Sequence, residues 1–133
     1  MALLYEDETY KIIGACINVH KALGPGFLES VYQEALEKEL IRLKIPYIRH
    51  KKLQIVFNGE FLNKFFVADL VCFDVIIVEL KASQYLSKID LDQTINYLKS
   101  TNLCVGLLVN FGESSLRWKR FINSRNITEA SSA

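Results

Sequence analysis

Long hydrophobic runs are missing from these 133 residues. The longest apolar stretch, LCVGLLV (103–109), falls far short of the roughly 20 apolar residues that a membrane-spanning helix needs. The N-terminus, MALLYEDETYK, carries acidic residues where a secretory signal needs a positive start and a long apolar segment. A cytoplasmic location without a membrane partner is the expectation. Cysteine is scarce and unpaired in pattern: Cys16, Cys72 and Cys104 lie in apolar stretches, odd in number and without a C-x-x-C pair. They read as small buried hydrophobes in a reducing compartment rather than a disulfide framework. Neither sign of charge dominates, with 16 Lys+Arg against 15 Asp+Glu and a net charge of +1. A basic surface for nucleic acid must therefore come from local clustering. There is no internal repeat and no linker.

What remains is globular in composition: half the residues are hydrophobic and 23% are charged. The length fits one domain, expected over residues 1–125, with the polar end NITEASSA (126–133) as a loose tail. Ile13, Cys16, Ile17 and Leu23 recur at helical spacing, predicting a helix over 6–23 that stops at Gly24-Pro25-Gly26. A second helix presents Leu28, Val31, Tyr32, Ala35, Leu36, Leu40 and Leu43 on one face and ends at Ile45-Pro46. The pattern then changes. KLQIVF (52–57) partly alternates, Asn58-Gly59 is a strong hairpin signal, and FFVADLVCF (65–73) is the returning strand. VIIVELK (75–81) follows a tight turn at Phe73-Asp74, which completes an antiparallel meander. Residues 88–99 return to helical spacing through Leu91, Ile95 and Leu98. LCVGLLVNF (103–111) is apolar enough for a strand covered on both faces, and LRWKRFI (116–122) alternates as a half-exposed last strand. The order predicts an α/β fold, a mixed sheet with helices on its faces. The third helix should link two parallel strands by a right-handed crossover.

The strand VELK ends with two charges that share a side, because side chains two apart in a strand point the same way. Asp69 in the preceding antiparallel strand falls close to opposite Glu79. Two carboxylates that near repel each other unless a cation lies between them. Magnesium suits such oxygen ligands and leaves positions for water and a substrate phosphate. Lys81 then supplies a point charge for a phosphate oxygen or for the attacking water. D…E-x-K on adjacent strands is thus a minimal metal-dependent hydrolase site; the competing reading is a solvated ion pair worth under about 1 kcal/mol. Gln93 and Tyr97, four apart, share a face of the third helix. They fit either water and substrate contacts or a surface glutamine beside a packing tyrosine. Glu29 shares a face with Tyr32, and it is either a helix-start charge or a third acid for the metal.

The stretch VHKALGPGFLESVY (19–32) resembles the signature of the GxxExxY proteins, a branch of the PD-(D/E)xK nuclease superfamily. The resemblance continues through ADLV (68–71), VELKA (78–82), QTINYL (93–98) and GLLVNFG (106–112), covering nearly all of the chain but its tail. It implies a restriction-endonuclease-like core, a mixed sheet flanked by helices with the active site at the strands' open edge. It implies Asp69 and Glu79 as ligands of Mg²⁺ or Mn²⁺, joined by the Leu80 carbonyl, with Lys81 catalytic. Gln93 and Tyr97 are similar to the Q-x-x-x-Y element of RecB-like nucleases, Glu29 to an early-helix acid, and His20 to a first-helix histidine. Ala68 stands where the superfamily often has proline.

Nucleic acid, DNA before RNA, is the implied partner. The basic stretches that fit it are RHKK (49–52) and Arg117, Lys119, Arg120 and Arg125, with Lys64, Lys88 and Lys99 as additions on a shared face. Trp118 and Phe121 lie among the second group, where an aromatic ring can stack on a base; a charge-guarded edge strand accounts for the same residues. Contacts to nucleic acid are expected from Tyr97, Tyr32, His20, Arg117 and Arg120. The expected function is metal-dependent hydrolysis of phosphodiester bonds, with a homodimer for duplex cleavage. The alternative is a nucleic-acid- or partner-binding module with little or no turnover.

Overall fold

The computed structural model describes residues 4–123, so the tail at 126–133 and Arg125 lie outside the described residues. Glu6, Asp7 and Glu8 occupy the first turn of α1 (Glu6–Leu23), where acidic charge offsets the helix dipole. Ile12, Cys16 and Val19 recur at helical spacing on its buried face. Gly24 ends the helix at φ 70°, a conformation that glycine adopts without strain. α2 (Glu29–Arg42) buries Tyr32, Leu36 and Leu40, again along one stripe.

β1 (Tyr47–Phe57) and β2 (Glu60–Cys72) are longer than the alternation alone predicts. Asn58 and Gly59 both take positive φ, the geometry of a two-residue hairpin turn, so pairing begins at once with Phe57 opposite Glu60. β3 (Ile76–Lys81) pairs antiparallel with β2 after the turn at Phe73-Asp74. α3 (Lys88–Ser100) carries the chain to β4 (Val105–Asn110), which runs parallel to β3 and is buried along its whole length. β5 (Arg117–Ile122) closes the sheet as an antiparallel edge, giving the order β1-β2-β3-β4-β5.

Two cores flank this sheet. α1 and α2 pack against Leu70, Cys72, Ile76, Val78, Leu80, Leu107 and Val109 on one face. On the other, Leu98 of α3 packs with Phe66, Ala68, Val71 and Ile77. β2 changes face partway: Phe66 and Ala68 belong to the α3 side, whereas Leu70 belongs to the α1–α2 side. The reversal falls at Asp69. It is flanked by the pairs Arg49–Leu70 and Lys51–Ala68, between which His50 takes φ 47°. Asp69 lies just beyond Leu70–Val78, where the β2–β3 ladder ends. Among the described residues, no helix is long and apolar enough to cross a membrane.

Candidate active site

Asp69 and Glu79 stand where β2 and β3 separate, and their side chains take over the role of the missing ladder bonds. The Asp69 N–H donates to Glu79 Oε1 at 3.1 Å, and the Leu80 N–H donates to Asp69 Oδ2 at 2.8 Å. Burial, reinforced by the Asp69 charge and opposed by Lys81, pushes the Glu79 carboxyl up to about 8. Lys81 ends β3 with its Nζ 3.8 Å from Asp90 Oδ1 at the start of α3. Glu29, at the start of α2, is raised by burial; Lys81 opposes that shift while Asp69 and Asp90 add to it. Four elements, α2, β2, β3 and α3, thus bring Glu29, Asp69, Glu79, Lys81 and Asp90 into one electrostatic group.

A cleft of about 540 Å³ opens from this group between α2 and β1, lined by Glu29, Gln33, Glu37, Arg49, His50 and Asp69 among others. Buried Gln33 crosses it at depth: its Nε2 donates to the Asp69 carbonyl at 3.1 Å and to Glu37 Oε2 at 3.2 Å. Glu37 also accepts from the Tyr47 hydroxyl and lies 3.5 Å from Arg49 Nε. The backbone at Asp69 is therefore held from α2 while its carboxylate is held from β3.

Gln93 is exposed and lines a separate shallow depression with Ile89, Asp92, Asn96 and Tyr97. Tyr97 packs one ring face on Phe66, with centroids 3.7 Å apart and planes 7° from parallel. Arg117 lies on the same strand end as Lys81, since Lys81, Asn110 and Arg117 are adjacent in register across three strands. It is exposed, with Glu113 Oε1 at 3.7 Å.

Three of the residues expected to contact nucleic acid have hydrogen-bond partners within the fold. Tyr32 is fully buried; its hydroxyl donates to the Gly24 carbonyl and accepts from the Phe27 N–H, and its ring stacks on Phe111. It pins the G-P-G-F loop and has no surface to offer a substrate. His20 is buried with its Nε2 2.9 Å from the Glu113 carbonyl, tying α1 to the turn after β4. One terminal nitrogen of the Arg120 guanidinium donates to the Leu4 carbonyl, linking β5 to the entry to α1. Tyr32→Phe is therefore expected to cost about 1 kcal/mol in urea unfolding through the lost hydroxyl bonds. No cost would show that the loop is held without them.

Asp90 was not among the residues expected at the site. Its signal, S-x-x-D at 87–90, reads as a local capping box, and the structure confirms that box while adding the contact to Lys81. Among the described residues, no three His, Cys, Asp or Glu side chains enclose a common point. Yet the donor set of Asp69 and Glu79 is all hard oxygen, with Glu79 raised by burial and by the Asp69 charge, and it fits a divalent cation such as magnesium or manganese.

The sequence profile of the PD-(D/E)XK nuclease superfamily matches residues 6–121. No curated protein matches the chain. Among solved structures, the crystal structure of SSO0001 is similar at TM-score 0.52 and 16% identity, covering 96% of this chain and 65% of that one. This chain thus spans just under two thirds of SSO0001. An alkaline exonuclease from Laribacter hongkongensis is similar at TM-score 0.50 and 10% identity, covering 99% of this chain and 77% of its own. At these identities the likeness shows a shared fold. With the profile match spanning nearly all described residues, the chain belongs to the PD-(D/E)XK nuclease superfamily.

Proposed function

We propose that this protein is a divalent-metal-dependent nuclease that hydrolyses phosphodiester bonds in nucleic acid, DNA in the first instance. The observation that carries the reading is the reciprocal Asp69–Glu79 pair beside Lys81 at one strand end. Asp69 and Glu79 would hold the Mg²⁺ or Mn²⁺ ion that nucleases of this superfamily generally use, with Glu29 as a third carboxylate and the Leu80 carbonyl in support. When bound, such an ion supplies Lewis-acid stabilisation and a more acidic water. The chain's own part is positioning and charge. Lys81, steadied by Asp90, sets its ammonium where negative charge grows on the phosphoryl oxygens. Gln93 and Arg117 are proposed to contact the substrate from α3 and from β5. Cleavage of both strands of a duplex by a chain with one such site calls for a homodimer.

One observation favours a second reading, a binding module without turnover: among the described residues, no three His, Cys, Asp or Glu side chains are grouped to hold a metal ion. A single assay separates the two. Plasmid, linear duplex, single-stranded DNA and RNA are incubated with Mg²⁺ or Mn²⁺ and with wild type, Asp69→Asn or Lys81→Ala, circular dichroism checking the fold. Wild type is expected to cut, and each variant to lose at least about 100-fold, the scale of a removed transition-state contact. Binding without cleavage, indifferent to Lys81→Ala, would establish the second reading.

A further inference from the structure

The segment that follows β4 has no place in the chemistry so far, yet it grips the strand that carries Lys81. Asn110 pairs in register with Lys81 and has no exposed surface. Its Oδ1 accepts from the N–H groups of Ser83 and Gly112, each at 3.1 Å. Its Nδ2 donates to the Ser83 carbonyl and to Glu113 Oε2, each at 2.9 Å. Two donors and two lone pairs are all that a side-chain amide has, so this one is saturated. Next to it, the Phe111 N–H donates to the carbonyl of Lys81 itself at 2.8 Å. Gly112 then lies against the backbone of Ala82 and Ser83, so close that a Cβ there would fall 2.3 Å from the Ser83 oxygen.

Lys81 is the last residue of β3, and strand ends fray unless tied down. Beyond it the chain leaves the sheet through the polar loop ASQYLS (82–87) to reach Asp90. We propose that Asn110 is a positioning residue for Lys81. By clamping Ser83 on both its N–H and its carbonyl, it stops the strand end from fraying and keeps the Lys81 ammonium aimed at the acids. Glu113, itself held through its carbonyl by His20, orients the amide. The proposal rests on the nuclease reading for its kinetic consequences, though not for its structural ones.

Asn110→Asp is the test variant: it keeps the shape and the acceptor oxygens and replaces the donating nitrogen. With substrate and Mn²⁺, kcat is expected to fall on the order of 10- to 100-fold at near-constant KM, the scale of a slightly misplaced group. Introduced into Lys81→Gln, the same change should cost less than about 2-fold more, because a residue acting through Lys81 has nothing left to act on. Mn²⁺ affinity by calorimetry should stay within about 2-fold, as the ligands are untouched. Losses that multiply in the double variant would make Asn110 a general structural residue and overturn the proposal. A wild type that cuts nothing sinks the nuclease reading alone, and the Lys81 ammonium resonance in ¹⁵N NMR then decides. It should stand apart from the surface lysines in wild type and join them in Asn110→Asp; an unmoved resonance overturns the proposal. Should Asn110→Asp fail to fold, Glu113→Ala, which removes a single partner of the amide, should shift the resonance the same way to a smaller degree. No shift in that variant counts against the proposal as well.

Discussion

Without added metal, the protein is expected to lose stability between about pH 4.5 and pH 8, and Glu79→Gln to flatten that profile. The ordinary value for this carboxyl is 4.5, and in the folded chain burial and the Asp69 charge push it up to about 8. Between those limits the folded state holds a proton that the unfolded state has already released. Stability falls with rising pH wherever the folded state binds more protons, so this contribution is complete below 4.5 and gone above about 8. The drop is a few kcal/mol at most, since a tenfold change in proton affinity is worth about 1.4 kcal/mol and solvent reaches part of the group. The Asp69 charge is part of what raises Glu79, so Asp69→Asn should flatten the profile in part. Mg²⁺ or Mn²⁺, binding the folded state through the ionised acids, should restore stability at the alkaline end as its concentration rises. Urea unfolding at pH 6 and pH 8, with and without metal, measures all of this. A flat wild-type profile, or a slope that survives Glu79→Gln, would mean that Glu79 does not carry the pH dependence.

The same pair shows what the sequence makes legible. Asp69 and Glu79 were readable as neighbours because strand pairing follows from a turn, and the turn at Phe73-Asp74 could be placed. The helix break at Gly24-Pro25-Gly26, the Asn58-Gly59 hairpin and the parallel crossover through α3 were readable for like reasons. Each is a short-range signal with a known backbone consequence. The face reversal at Asp69 was not. It turns on His50 at φ 47°, a conformation that no glycine or Asn-Gly pair announces there. Polar residues with distant partners were equally opaque. Gln33 meets the Asp69 carbonyl 36 residues away, Asn110 meets Ser83 27 residues away, and His20 meets Glu113 93 residues away. Helical spacing tells which face such a side chain lies on, and nothing about the backbone group it will find. His20 was expected at a substrate from the resemblance and Arg120 from its basic cluster; neither signal reveals the Glu113 and Leu4 carbonyls that their side chains meet.

Gly112→Ala is expected to be the most damaging single-methyl change in the chain, although no left-handed backbone requires glycine there. The reason is space. A Cβ at 112 would lie 2.3 Å from the Ser83 oxygen, 2.5 Å from its nitrogen and 2.6 Å from the Ala82 carbonyl carbon, all of them backbone atoms. Side chains can turn aside from an added methyl; a backbone fixed by Asn110 and by the Phe111–Lys81 bond cannot do so without breaking those bonds. The cost joins overpacking, roughly 1–3 kcal/mol, to the hydrogen bonds given up, about 1 kcal/mol each. A fall in Tm of about 10 °C or more follows for a chain of this size. Gly106 is the control. It lies in the buried strand β4, but its added Cβ would meet its nearest neighbours at 3.8 and 3.9 Å, ordinary contact distances. Gly106→Ala should therefore change stability by less than about 1 kcal/mol, with better strand propensity offsetting any small adjustment of Leu98. Thermal melts of the two variants side by side test the contrast. Equal losses would show that the close approach of the β3 and β4 exits at Gly112 is not what makes an added methyl costly there.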